Sequence, residues 1–315
     1  MSKITLHKDG NTTMIKCTSK MKNVLISIAV LFGIITGLLV GVSGCSDTTK
    51  PRDVEKGIIT MVTTAMSIRL EVQGIGEVTI YWGDGTVTRS TMSRYGGTRI
   101  LQHRYLSESE HIVTISGHIT DFNSSNNMLT FLDVRNMPML ESLGLYSNQI
   151  KSLDVRSNAL LKRLVCGGNQ LKYLDLSYNP LLYYLYCAGN LIENLDLSNN
   201  ADLQLLNIRD NLFKSLDISN TPRLSYVVIQ GNQFNKEALN NLFDALPERD
   251  YYLWKWATIF IADNPGTDEC DVSIAGDKGW AVRATEECFT QLMMNNNITE
   301  IENYLLWRKH EKSCD

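Results

Sequence analysis

Apolar and polar positions in the middle of the chain repeat at a constant step of 21 residues. The first series consists of asparagines: Asn127, Asn148, Asn169, Asn190, Asn211 and Asn232. The second consists of leucine–aspartate–apolar triplets: Leu132-Asp133-Val134, Leu153-Asp154-Val155, Leu174-Asp175-Leu176, Leu195-Asp196-Leu197 and Leu216-Asp217-Ile218. The third consists of the leucines Leu140, Leu161, Leu182, Leu203 and Leu224, each followed by a second apolar residue. Three registers with one period predict a solenoid of stacked coils.

The physical reason for this pattern is that a single coil cannot bury its own leucines. Stacked coils cover each leucine from above and below, which contributes roughly 1.5–3 kcal/mol for each fully buried side chain. We expect one short strand in each coil, with successive strands paired in parallel about 4.8 Å apart. An asparagine amide both donates and accepts, so the asparagine column is expected to hydrogen-bond the turn backbone that would otherwise be buried unpaired.

The strands of these coils also predict a candidate binding face. Side chains alternate along a strand, so the positions that flank the inward leucines are expected to point outward, where they form columns rich in tyrosine. The candidate partner-binding residues are Tyr146, Arg163, Tyr183, Tyr184, Tyr186, Leu205, Arg209 and Tyr226. Exposed tyrosine and arginine are enriched in binding surfaces. The alternative is that neighbouring domains cover this face, or that the tyrosines only line the sheet.

Two further columns bear on the chemistry of the coils. The aspartates of the triplets stack at rung spacing, and their repulsion must be offset either by hydrogen bonds to backbone amides, which we favour, or by a stripe of bound cations. Cys166 and Cys187 share one register and are predicted to be stacked free thiols rather than a disulfide. Because no histidine falls in the repeats, the sequence predicts neither a metal site nor a cofactor.

From about Ile119 to Phe234 the repeats resemble the 21-residue bacterial class of leucine-rich repeat. The shared pattern is Leu-x-x-Leu-x-Leu-x-x-Asn-x-Leu-x-x-Leu-Asp-Leu-x-x-Asn. The cysteine pair is similar to the cysteine ladder of some internalin-like proteins. The resemblance implies a parallel-strand leucine-rich-repeat solenoid in a mainly β protein that acts by binding.

The segment before the repeats has apolar residues alternating with polar ones and glycine-rich turns. Trp82-Gly83-Asp84-Gly85-Thr86, His103-Arg104-Tyr105 and Val113-Thr114-Ile115 resemble a PKD-type immunoglobulin-like domain. The resemblance implies a small β-sandwich in which Asp84 and His103 are structural. A catalytic Asp84–His103 pair is the competing interpretation, which we do not favour because the motif already accounts for both residues.

After the repeats, the spacing of Phe234, Leu239, Leu242 and Leu246 predicts a helix capped by Asn235 and stopped at Pro247. Ile259 to Ile261 is predicted to be a strand, and this region is expected to form an α/β C-terminal cap over the last coil. Cys270, Cys288 and Cys314 allow three single pairings, of which proximity favours Cys270–Cys288. After Val282 the chain is predicted to be helical.

The N-terminus carries lysines followed by an apolar run from Val24 to Val40, which is typical of a secretory signal. Val42-Ser43-Gly44-Cys45 resembles the lipobox of bacterial lipoproteins, which implies cleavage before Cys45 and lipidation of that cysteine. An uncleaved signal anchor is the alternative, and Met21 is an alternative start to Met1. Without residues 1–44, which carry five lysines and one acidic residue, the formal charge falls from −4 to −8. Nucleic acid is therefore not an expected partner.

These inferences divide the chain into a lipoprotein signal peptide (1–44), a tether (45–56), a PKD-like β-sandwich (57–118), the solenoid (119–236) and the C-terminal cap (237–315). The predicted function is that of a lipid-anchored protein of the cell envelope, at the outer membrane or cell surface. It is expected to bind a protein or glycan partner, as in adhesion. A structural subunit of an envelope assembly is the alternative. An enzyme is not expected, because no nucleophile motif or phosphate-binding loop is present in the sequence.

Overall fold

A computed structural model describes residues 6–9, 12–15, 56–93, 96–249 and 257–283. The chain divides into two compact units, 1–52 and 53–315. In the first, β1 (Leu6–Asp9) and β2 (Thr12–Ile15) pair antiparallel, with Leu6 opposite Ile15. The apolar run of the predicted signal peptide, Cys45 and nearly all of the predicted tether lie outside the described residues. In the described part of the chain, no helix has the length and apolar character needed to cross a membrane.

The second unit begins with six mostly antiparallel strands. They are β3 (Gly57–Thr63), β4 (Ser67–Tyr81), β5 (Val87–Met92), β6 (Arg99–Arg104), β7 (His111–Asn123) and β8 (Leu129–Asn136). The alternation seen in the sequence decides which side chains are buried: Ile68, Leu70 and Val72 point into the core, and the residues between them do not.

Strand β3 lies between β7 and β8 and pairs antiparallel with both. Strand β7 also pairs with β4 and continues to Asn123, where its last residues pair in parallel with the first strand of the coils. One strand therefore belongs to both regions and crosses the boundary predicted between residues 118 and 119. The antiparallel strands and the coils form a single sheet of 13 strands.

The repeats form the parallel solenoid that the spacing predicts. Its strands are β9 (Ser142–Gly144), β10 (Arg163–Val165), β11 (Tyr184–Tyr186), β12 (Leu205–Asn207) and β13 (Tyr226–Val228). Each pairs in parallel with the next at an offset of one repeat, as Leu164 does with Leu143 and Leu185. The middle residues of these strands are buried inside the coils, which confirms the stacked leucine core.

The parallel sheet does not end with the last regular repeat. Helix α1 (Lys236–Ala245) follows it, and Asn235 caps this helix by accepting a hydrogen bond from the Ala238 amide at 2.9 Å, as predicted. Strand β14 (Thr258–Phe260), helix α2 (Ser273–Asp277) and strand β15 (Ala281–Arg283) come next. Because β14 pairs in parallel with β13 and β15 with β14, the solenoid sheet runs two strands past the predicted end at residue 236.

The cysteines after the repeats differ from the expectation. Cys270 is a free thiol that donates to the Thr267 carbonyl at 3.3 Å, so the expected Cys270–Cys288 disulfide is not formed. Cys288, Cys314 and the helix predicted after Val282 lie outside the described residues.

Candidate functional site

The outward side chains of the coil strands form a second apolar cluster, separate from the leucine core. We call this cluster the tyrosine face. Its buried members are Val165, Tyr184, Tyr186, Ala188, Leu205, Tyr226, Val228 and Phe260, with Tyr146 and Tyr183 packed against it. The alternation predicted from the sequence is therefore correct, since the central residues of the same strands belong to the other cluster.

The aromatic rings of the tyrosine face pack across neighbouring coils. The rings of Tyr146 and Tyr186 meet edge to face with centroids 6.0 Å apart, and those of Tyr226 and Phe260 are tilted at 5.3 Å. The ring of Tyr186 lies over Gly167, where an added Cβ would stand 2.3 Å from Cε1 of that ring. A glycine in the previous coil is thus needed for this arrangement of the tyrosine.

Two arginines lie in the outward columns of the tyrosine face, each paired with an aspartate. Arg163 donates from Nη2 to Asp121 Oδ1 at 3.0 Å, which connects β10 to β7 two strands away. Arg209 donates from Nε to Asp210 Oδ2 at 3.0 Å, and its backbone amide donates to Asn207 Oδ1. The two guanidinium groups are only partly buried, and the aspartate beside each one balances its charge.

The centre of the tyrosine face is buried, in line with the alternative of a covered face that the sequence left open. Tyr184 and Tyr226 are 3% exposed, Tyr186 is 5% and Leu205 is 2%. Arg163, Tyr146, Tyr183 and Arg209 are half-buried. By contrast, Tyr173 and Tyr178, which lie outside the strands, are 70% and 58% exposed. The predicted residues are therefore brought together, but the central ones are buried rather than exposed.

The predicted asparagines line the turn that follows each strand. Asn190 is representative: Oδ1 accepts from the Leu171 amide, and Nδ2 donates to the Cys166 and Cys187 carbonyls, all at 3.0 Å. We call this set the first asparagine column. It begins at Asn127, which exchanges hydrogen bonds with the Arg69 backbone of β4, and it continues after α1 at Asn264. Each asparagine satisfies backbone groups of two adjacent coils.

A second asparagine column occupies the last position of the shared repeat pattern, a position for which no role was predicted. It consists of Asn158, Asn179 and Asn200, which are fully buried. Asn179 Nδ2 donates to the Val155 and Asn158 carbonyls at 3.0 and 2.9 Å. These asparagines keep the 21-residue step and close the repeat pattern three residues after the leucine–aspartate–apolar triplet. That spacing is the signal that could have identified them.

The aspartate column is capped by backbone amides, which is the explanation favoured from the sequence. Asp175 Oδ1 accepts from the Ser177 amide at 3.0 Å, and the other four aspartates make the equivalent contact two residues on. Arg156 also donates to Asp154 from Nε and Nη2, which lowers the pKa of Asp154 to about 2. Within the described residues, no group of three or more histidine, cysteine, aspartate or glutamate side chains is placed to hold a metal ion.

Asp84 and His103 are joined by a hydrogen bond of 2.7 Å between Oδ2 and Nε2. Asp84 Oδ1 accepts from the amide and hydroxyl of Thr86, which hold the pKa of that carboxyl well below its usual range. The His103 ring stacks on Trp82 at 4.8 Å, and the Tyr105 hydroxyl donates to the Trp82 carbonyl. Every one of these contacts stays within the motif and closes the turn between β4 and β5.

Cys166 and Cys187 are free and buried, as predicted. Burial raises the pKa of the Cys187 thiol to about 12 and that of Cys166 well above its usual value. Neither side chain is therefore a thiolate at neutral pH, so they act as small apolar core residues rather than as nucleophiles or ligands.

The buried leucine stack, the asparagine columns and the parallel register of β9–β13 define a leucine-rich-repeat solenoid. No protein-family model and no curated protein sequence matches the chain. Among solved structures, the functional domain of InlJ from Listeria monocytogenes, which includes a cysteine ladder, is 22% identical. The match covers 52% of this chain and 49% of that chain, with a TM-score of 0.37.

Two further solved structures are similar. An internalin, inlF, from Listeria monocytogenes is 19% identical over 52% of this chain and 46% of that chain, with a TM-score of 0.43. The leucine-rich repeat domain of APL1B is 18% identical over 41% and 44%, with a TM-score of 0.31. This chain spans about half the length of the solved chains that it matches.

Proposed function

We propose that this chain is a non-enzymatic binding protein of the cell envelope that recognises a protein ligand through the half-buried residues of the tyrosine face. The observation that carries the proposal is that Tyr146, Tyr183, Arg163 and Arg209 keep partial exposure beside the buried tyrosines and aliphatic side chains of that face. The few residues that dominate binding energy in protein interfaces are enriched in tyrosine and arginine, and an apolar centre with a polar rim is typical of such surfaces.

In this proposal the strands β3–β8 act as a PKD-like spacer between the membrane and the coils, and α1, α2 and β15 serve as an α/β cap. The spacer is supported by the closed turn around Asp84 and by the hydrogen bonds of Asn127 to β4, which couple the two regions. The cap is supported by the Trp280 indole, which donates to the Pro247 carbonyl at 2.8 Å and ties β15 to the end of α1.

The lipid anchor is part of the same proposal and has its own test. Cells that express the full chain are grown with labelled palmitate, and the label is followed in the chain and in its Cys45→Ser variant. We expect label and membrane fractionation for the wild type, and neither for the variant. A labelled Cys45→Ser chain would contradict the assignment of the lipid to this residue.

The binding role is tested by ligand capture in cells of the native species. Chains carrying a photocrosslinking phenylalanine at Tyr183 or at Arg209 are compared with a chain carrying it at Tyr173, which is exposed elsewhere on the coils. We expect one protein to be captured from both positions of the tyrosine face and not from position 173. Equal capture from all three positions would overturn the proposal, and capture of polysaccharide alone would replace the protein ligand by a glycan.

A further inference from the structure

An open groove of about 470 Å³ lies on the side of the coils that carries the leucine–aspartate–apolar triplets. Phe131 of β8 and Tyr173 both line it, and Ser152 lies between them in the same register. The backbone positions of Phe131 and Tyr173 are two coil spacings apart, or about 10 Å. The groove shares no described residue with the tyrosine face, so it is a separate feature of the solenoid.

The two aromatic side chains of the groove are not required by the folding of the coils. Phe131 is 45% exposed and Tyr173 is 70% exposed. At the same register the other coils carry small polar residues, which are Ser152, Asn194 and Ser215. A coil therefore closes without an aromatic residue at this position. Two exposed aromatic rings that line one groove are instead typical of a ligand site.

The arginines of the groove are also more than the coils require. Asp133 and Asp154 are each held by the arginine two residues on, in a fork of two side-chain hydrogen bonds. In the next coil Ser177 holds Asp175 with its amide and its hydroxyl. A serine also follows each of the last two aspartates of the column and donates its amide to it. Serine is therefore sufficient in this position, and arginine occurs in the two coils where it lines the groove.

Each fork keeps hydrogen-bonding capacity for a ligand. Arg156 donates to Asp154 from Nε and Nη2, and within the described residues its remaining N–H groups make no hydrogen bond. In the same part of the chain, Asp154 Oδ2 accepts from Arg156 alone and retains a lone pair. The groove thus presents donors and acceptors side by side. Three aspartates and two arginines line it, so its formal charge is −1, which does not attract an anionic ligand.

We propose that this groove is a second binding site and that its ligand is a neutral glycan. A sugar ring has an apolar face of C–H groups, which packs on an aromatic ring, and a rim of hydroxyls that each donate and accept. Phe131 and Tyr173 stack on two rings of the glycan chain, and the Arg156–Asp154 fork in the coil between them binds adjacent hydroxyls. Because the aromatic positions are about 10 Å apart, the ligand is an oligosaccharide stretch rather than one sugar.

The chemistry of the groove favours a glycan over a protein ligand. Protein interfaces have an apolar centre and a polar rim. In the groove this order is reversed, since the charged fork of Asp154 and Arg156 lies in the coil between the two aromatic rings. An apolar side chain placed there would cover the fork without pairing with it, whereas a hydroxyl-rich ligand pairs with both partners.

Affinity electrophoresis of the purified full chain tests the site. Native gels contain one soluble neutral polysaccharide each, namely a glucan, a mannan, a xylan or a galactan, and sulfated and uronic-acid polysaccharides serve for comparison. We expect at least one neutral polysaccharide to retard the chain relative to a gel without polysaccharide. Retardation by none of the neutral polysaccharides, or by the anionic ones alone, would refute the proposal.

Three variants then assign the binding to the groove. Phe131→Ser and Tyr173→Ser introduce the residue that other coils carry at this register, and Arg156→Ser follows Ser177 in the same way, so all three are expected to fold. We expect each to raise the dissociation constant for the retained polysaccharide by about tenfold or more. The matched control Tyr81→Ser removes a tyrosine of β4 that is 49% exposed and lies outside the groove, and it should bind as the wild type does.

Groove variants that bind as tightly as the wild type would contradict the assignment, and so would an equal loss in Tyr81→Ser. Neither outcome bears on the tyrosine face, because ligand capture from positions 183 and 209 is measured separately.

Discussion

The two asparagine columns use the same residue at the same 21-residue step and at similar burial, yet they satisfy different backbone groups. In the first column each amide both accepts and donates, as Asn190 does with Leu171 and Cys187. In the second column the amides only donate; in the described part of the structure, Oδ1 of Asn158, Asn179 and Asn200 has no hydrogen-bond partner. The difference lies in the turns: at the second column, amides such as that of Asn179 are already bonded to the backbone.

The comparison shows that the residue type at a repeated position depends on which hydrogen-bond partners the adjacent backbone lacks. A turn with both free amides and free carbonyls favours asparagine, because its side-chain amide carries the acceptor and the donors on two different atoms, whereas a hydroxyl carries both on one. A turn that lacks only donors is satisfied by the amide nitrogen alone. Burying the amide oxygen without a partner then costs free energy. Substitutions in the two columns should therefore differ in size and in pattern.

The largest effect is expected for Asn190→Leu. Leucine leaves the Leu171 amide and two carbonyls without their partners in a buried turn, so we expect the free energy of unfolding to fall by about 3–5 kcal/mol. Urea titration measures this, with the exposed Asn199→Leu as the control, which should change stability by about 0.5 kcal/mol or less. Equal losses in the two variants would contradict the role of the first column.

A smaller loss is expected for Asn179→Ala than for Asn190→Ala. The alanine at position 179 removes two donated hydrogen bonds, to Val155 and Asn158, but it also removes an unpartnered buried oxygen. We expect a loss of about 1–3 kcal/mol at position 179 and a larger one at position 190, measured by the same titration. The comparison would fail if the two alanine variants were equally destabilised.

Substitution by threonine should distinguish the two asparagine columns further. Thr221 occupies the register of Asn179 two coils later, and its hydroxyl donates to the Ile218 carbonyl at 2.7 Å. We therefore expect Asn179→Thr to cost about 1 kcal/mol or less, because a buried threonine is accommodated at this register by donating to its own turn. Asn190→Thr should cost clearly more, since a hydroxyl cannot reach both the Leu171 amide and the carbonyls. Equal tolerance of threonine would show that the columns are equivalent.

The smallest effect is expected in the aspartate column, which keeps the same step on the surface. Because Arg156 lowers the folded-state pKa of Asp154 to about 2, below the unfolded value of about 3.9, the charged form favours folding. The wild type should therefore have a slightly higher urea midpoint than Asp154→Asn above about pH 4. The gap should close as pH falls through 2. A gap independent of pH would contradict this origin.

The repeat made the stack predictable, because leucines at one period have no other way to be buried. The same argument found the first asparagine column and the outward direction of Tyr184 and Tyr186. It placed Asn179 in the repeat pattern but predicted no role for it, because its partners are carbonyls of a turn that the sequence does not show. It left a covered tyrosine face as an alternative, since periodicity within the coils carries no information about what packs on them from outside. The end of the sheet was misplaced because α1 lengthens the step from Asn232 to Asn264.

Strand β3 is hydrogen-bonded on both sides, to β7 and to β8, and both neighbours run antiparallel to it. A pull on the chain ahead of Gly57, such as one transmitted from a membrane, acts along this strand. It must therefore shear two ladders at once instead of peeling one pair of residues after another. Tension on β3 would reach the coils through β7, which pairs with β9, and through β8, which leads along the chain into β9. The first strand of this region is thus the one arranged to resist mechanical load.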